Sequence, residues 1–96
     1  MATKVIFRKF RDGDVIALFP EIPADILGHN CQSYMHVGQH GAADPHLSGR
    51  TAPATPEEYA DLMNELTRIG YDGLVVVRRM TRAMDERRRA AVAAHV

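Results

Sequence analysis

The residues of this chain best equipped for chemistry gather in one stretch, CQSYMHVGQHGAADPHLSGR, residues 31 to 50. It holds the only cysteine, three of the five histidines and an Asp-x-His-x-Ser string. Cys31, His36, His40 and His46 are residue types that zinc takes as tetrahedral thiolate and imidazole ligands. Their spacing opposes such a site. If 31 to 37 is a strand, Cys31, Ser33, Met35 and Val37 share one face while Tyr34 and His36 share the other, so the thiol and the imidazole point apart. On a continuing strand His36 and His40 would lie about 13 Å from each other, too far for bonds of about 2 Å to one ion unless Gly38 and Gly41 turn the chain. The sequence therefore predicts no metal and no cofactor, with Cys31 a small buried hydrophobe.

Asp44, His46 and Ser48 supply the acid, base and nucleophile types of a catalytic triad, but triads draw their members from separate elements, and three alternating residues of one loop do not hold that geometry. No catalytic residue is assigned. Recognition suits the stretch better. His36, His40, Asp44, His46, Ser48 and Arg50 are candidate binding residues, with the N–H groups of a glycine-bearing turn and the Arg50 guanidinium available to a phosphate, a carboxylate or a partner surface.

These residues must be positioned by the elements around them. KVIFRKF and VIALFP are apolar, β-branched and aromatic runs separated by RDGD, whose Asp12-Gly13 is a hairpin signal, so Lys4 to Phe10 should pair antiparallel with Asp14 to Phe19. In the second arm Val15, Ala17 and Phe19 face one side and Ile16 and Leu18 the other, which predicts a central strand covered on both faces. Pro20 and Pro23 cannot donate to a ladder and should end it. CQSYMHV reads as a third strand, and residues 38 to 54 as a loop of about seventeen residues, a length usually tied to function or mobility.

TPEEYADLMNELTRIG carries the clearest helix: Thr55 caps it, Pro56 opens it, Glu58 completes a capping box, and Gly70 closes it. Tyr59, Leu62, Met63, Leu66 and Ile69 form its apolar stripe. Leu74 to Val77 then reads as a buried strand, which the strand–helix–strand crossover places parallel to one of the first three. A last helix from about Arg82 to Ala94, capped by Thr81, could pair Asp85 with Arg89; its thin Ala and Met face would need the core or a partner to hold it. The predicted fold is α+β in two layers, β-β-β-α-β-α: a four-stranded, mainly antiparallel sheet, one main helix packed on it and a C-terminal helix. Residues 1 to 80 form the single domain and 81 to 96 an Arg/Ala-rich helix or tail.

Composition sets the frame. Ninety-six residues, 46% apolar and 25% charged, suit one ordinary globular domain rather than a disordered, collagenous or disulfide-built chain. The lone cysteine and the absence of an apolar leader in MATKVIFRKF point to a cytoplasmic protein with no membrane partner. Zero formal net charge hides an asymmetry: residues 1 to 77 carry six basic against ten acidic groups (−4), and residues 78 to 96 six arginines against Asp85 and Glu86 (+4). The basic tail of Arg78, Arg79, Arg82, Arg87, Arg88 and Arg89 could meet nucleic acid, yet acidic residues interrupt it and no aromatic is interleaved for stacking.

VIFRKFRDGDVIALFPEIPAD, a third strand and the helix start TPEEYADL together resemble the HicB antitoxin family over roughly residues 4 to 77. That resemblance implies a partial ribonuclease-H-like β-β-β-α-β domain and a small bacterial non-enzymatic binding module, recognising a protein partner or self-associating. Residues 38 to 54 stand outside it. The whole chain is also similar to small proteins of bacterial plasmids and conjugative elements, a resemblance that implies no activity. Two alternatives remain: a small enzyme or anion-binding protein built on the histidine-rich loop 36 to 50, and nucleic-acid binding through the tail. An enzyme requires at least two of the loop's candidate side chains to converge on one pocket.

Overall fold

A computed structural model describes residues 2–36, 39–47 and 50–93. The elements run β1 (Thr3–Phe10), β2 (Val15–Pro23), β3 (Cys31–Met35), β4 (Gln39–Ala43), β5 (Thr51–Pro53), α1 (Pro56–Arg68), β6 (Leu74–Val76) and α2 (Arg82–Ala93). The fold is α+β with a mainly antiparallel sheet and two helices, but the sheet has six strands rather than four. Its order is β4-β3-β2-β1-β5, with β6 pairing parallel to β1. One outer edge of β1 serves two strands: residues 8–10 pair with β5 and residues 3–5 with β6. No helix among the described residues is long and apolar enough to cross a membrane.

The β1–β2 hairpin turns at Asp12-Gly13 as its residues require. Gly13 sits at φ 98°, a left-handed conformation that costs glycine little, and the Asp12 carboxylate accepts from the Asp14 N–H at 3.0 Å. β2 is central, with one apolar cluster on each face. Val5, Phe7, Ala17, Phe19 and Tyr34 meet Leu62 and Leu66 of α1 on the first face. Ile6, Ile16, Leu18 and Cys31 form the second, with Leu47, Val77 and Met80 packed against them. Both helices pack on β2, so the sheet is covered on two sides rather than the one that a two-layer fold implies.

α1 begins as its sequence dictates: Thr55 Oγ1 accepts from the Glu58 N–H at 3.3 Å and Glu58 Oε1 accepts from the Thr55 N–H at 2.9 Å. Each half of this box satisfies a donor that the first helical turn leaves without an intrahelical partner. Leu62 and Leu66 are buried, Tyr59 stacks on Phe7 with ring centroids 4.3 Å apart, and Ile69 at the far end of the stripe stands in solvent.

Several expectations are corrected. β2 does not stop at Pro20 but runs to Pro23, because its ladder to β3 shifts register between Phe19 and Pro23, and an irregular ladder tolerates residues that lack an N–H. The stretch from 38 to 54 is not a structureless loop. β4 pairs with β3 from Cys31↔Ala43 to Met35↔Gln39, and Ser33 Oγ donates to the Gly41 carbonyl at 2.9 Å. An edge strand with both faces near solvent needs backbone partners rather than large apolar side chains, so QHGAA gives no periodic signal. β5, three residues paired to the edge of β1, gives no such signal for the same reason. β6 was expected to be buried, yet Val75 and Val76 are 43% and 39% exposed, because the strand lies at the sheet's border. Finally, Asp85 pairs not with Arg89 but with Arg88, three residues on, at 2.8 Å.

Candidate functional site

The alternation read along residues 31 to 35 holds in space. Cys31 lies buried in the second cluster and Tyr34 in the first, on opposite faces of the sheet. Burial among apolar side chains pushes the Cys31 thiol up to about 11, the nearby Arg88 charge opposing only part of the effect. The thiol therefore stays protonated at neutral pH, unsuited to act as nucleophile or ligand. Among the described residues no group of three or more His, Cys, Asp or Glu could hold a metal ion.

The candidate histidines separate by face. On the α1 side, His36 Nδ1 lies 3.0 Å from Glu65 Oε1, while the Tyr34 hydroxyl donates to Glu65 Oε2. His40, opposite Tyr34 in the β3–β4 ladder, meets the Tyr34 ring edge-on at 4.6 Å and borders an open cleft of about 490 Å³ with Ile69, Gly70 and Tyr71. On the α2 side, His46 Nε2 lies 3.1 Å from Asp85 Oδ2, and Asp44 Oδ1 accepts from the His46 N–H at 2.9 Å. Arg50 is exposed beside Phe10, Arg11 and Asp12 at the far end of the hairpin. Ser48 lies outside the described residues. Each of the principal clefts is bordered by at most one of His36, His40, Asp44, His46 and Arg50. The convergence that a catalytic reading requires is therefore not found among the described residues.

No family model, curated protein or solved structure matches the chain. Its function must be argued from the geometry.

The arginines of the tail divide into those with a structural task and those without. Arg88 is only 1% exposed: its Nε donates to the Gly28 carbonyl at 2.7 Å, Nη1 to the Pro20 carbonyl at 2.9 Å and Nη2 to Asp85 at 2.8 Å. It is therefore no surface contact but a bolt holding α2 to the end of β2 and to the turn at 24–30. Burial raises the Asp85 carboxyl, but Arg88 and His46 outweigh it and hold it below the ordinary carboxylate value. Arg87 bonds Glu21 at 2.8 Å, which Lys4 also reaches at 3.1 Å, and Arg82 pairs with Glu86 on its own helix. Arg78 and Arg79 are exposed just before α2 and form no ion pair with a described residue.

Sequence reasoning missed Glu65, Tyr34 and Asp85 as the histidines' partners, and Arg8 as a neighbour of the Arg78–Arg79 pair. Asp85 offered a faint signal as an acid set among arginines. Glu65 offered none, since an acid beside an apolar stripe is the usual composition of a helix flank.

Proposed function

We propose that the protein is a small bacterial binding module, HicB-like and non-enzymatic, that recognises a protein partner or a second copy of itself. The observation that carries this reading is the open border at β6. Leu74 to Val77 is an unbroken run of large apolar side chains, yet Val75 and Val76, on opposite faces of the strand, stand 43% and 39% exposed. β6 pairs with β1 alone among the described strands, so no described strand occupies the N–H and C=O groups of its other side. An apolar strand with an open edge is a template for another strand, and the added strand would cover both valines at once. The scattering of the loop's histidines over two faces supports binding over catalysis. The HicB-like resemblance belongs to the same proposal; the observed order β-β-β-β-β-α-β-α departs from the β-β-β-α-β it implies by β4 and β5, which stand between β3 and α1.

The test is light scattering on the purified protein over a concentration series, joined to affinity capture from a bacterial host, each repeated with Val75→Lys. The reading expects a dimer or a stoichiometric protein partner that the lysine abolishes while circular dichroism stays native. A monomer that captures no protein, or capture unaffected by the lysine, overturns it.

A further inference from the structure

On the face of the sheet opposite α1, a cavity of about 160 Å³ opens between β1, the 45–47 turn and the segment leading into α2. Its apolar floor and wall include Ile6 and Leu18, with Met80 beside them, and the polar residues among its described lining are all basic: Arg8, His46, Arg78 and Arg79. No carboxylate of a described residue borders it. Asp85, the acid that contacts His46, is also held by Arg88. Arg8 is fixed in place, its Nε donating to Thr51 Oγ1 at 3.0 Å and Nη2 to the Thr51 carbonyl at 2.8 Å. Arg78 and Arg79 spend no charge on a described acid. Three arginines lining one small cavity are an accumulation of like charge that is electrostatically unfavourable unless an anion joins them.

We propose that this cavity binds the phosphoryl group of a small phosphomonoester, with the ligand's organic stem lying on the Ile6–Leu18–Met80 surface. Size favours a head group over a whole nucleotide: at about 30 Å³ per water the cavity holds roughly five, below the roughly 300 Å³ where pockets for larger ligands begin. Charge favours phosphate over carboxylate. The Arg8 donors that Thr51 does not take, together with the arginines of the 78–79 segment, can meet separate oxygens of a tetrahedral dianion, whereas a planar monoanion offers two. The apolar floor gives the ester its advantage over the free ion. The site is independent of the β6 edge, and the two proposals fail separately.

The experiment titrates the purified chain with phenyl phosphate, inorganic phosphate and benzoate at low salt, following backbone amide shifts by NMR. Phenyl phosphate should bind most tightly, with shifts centred on residues 45–47 and 78–80, inorganic phosphate several-fold more weakly, and benzoate about tenfold more weakly. Arg78→Ala and Arg79→Ala, both exposed and without an ion pair to a described residue, should each weaken phenyl phosphate about tenfold with the thermal midpoint changed by no more than a few degrees. Val75→Lys should leave binding intact. Absence of saturable binding, benzoate equal to phenyl phosphate, or full affinity in the arginine variants overturns the proposal. Inorganic phosphate binding as tightly as the ester would overturn the stem's role.

Discussion

Replacing Arg88 by alanine tests the reading of α2 most severely. The side chain is 1% exposed and serves three acceptors, two of them backbone carbonyls from segments about sixty residues away in sequence. Removing one member of a buried pair costs about 3–5 kcal/mol when the other is left stranded. Asp85 is not wholly stranded, since its side chain keeps 21% exposure and the contact with His46, which places that part at the low end. The carbonyls of Gly28 and Pro20 each lose a donor at a site closed to water, at about 1–3 kcal/mol for such a group, and the vacated volume adds to the loss. These terms overlap, because the cost of breaking a buried pair already includes the groups left without a partner, so the expected total is about 3–5 kcal/mol, a large share of the roughly 5–15 kcal/mol that holds a domain of this size. At about 4–8 °C per kcal/mol the thermal midpoint should fall by at least roughly 12 °C. Arg87→Ala is the control: it carries the same charge on the next residue, but its side chain is 59% exposed and its acceptor Glu21 keeps Lys4. Its loss should cost under about 1 kcal/mol. Urea unfolding followed by fluorescence and circular dichroism measures both, and amide exchange should quicken first in α2 and residues 24–30. If Arg88→Ala lies within about 0.5 kcal/mol of Arg87→Ala, the buried guanidinium does not hold α2 and the reasoning fails.

Two further expectations follow from the acids and the thiol. Asp85 and Glu21 are held below their ordinary values: burial raises each, but Arg88 with His46 in the first case, and Arg87 with Lys4 in the second, outweigh it. A carboxyl depressed in the folded state contributes stability that is present above its unfolded value, about 3.9 for aspartate and about 4.3 for glutamate, and is lost as pH falls through the lower folded value. Urea midpoints should therefore drop below about pH 4, and the gap between the native chain and Asp85→Asn, present at pH 6, should close as the native carboxyl protonates; a gap unchanged at acid pH would refute the assignment. Cys31, with its thiol pushed up to about 11 and no exposed surface, should react with a thiol reagent at pH 8 only after urea unfolding. Rapid labelling of the folded chain would contradict its burial.

Much of the architecture could be read from local pattern. The Asp12-Gly13 turn, the Thr55–Glu58 box and the two-sided apolar pattern of residues 15 to 19 each depend on neighbours a few positions away, and each stands in the structure as read. The alternation from Cys31 to Met35 was enough to separate the thiol from the Tyr34 side of the sheet. Where reading failed, the deciding partner lay far off in sequence. β4 and β5 carry weak side-chain signals because they form by pairing backbone with an existing edge. Leu74 to Val77 looked like core because its residues are apolar, but burial depends on what lies beside a strand.

The same division runs through the candidate site. Composition and spacing establish that the chain owns five histidines, a basic tail and no complete catalytic signature. They cannot say that Glu65 meets His36, that Asp85 meets His46, or that of six neighbouring arginines one is sealed inside while two, without an ion pair to a described residue, line one cavity with Arg8. Charge is a property of the residue and is written in the chain. Whether that charge is neutralised, buried or left to meet a ligand depends on side chains thirty to seventy positions away, and only packing brings those within a hydrogen bond's reach.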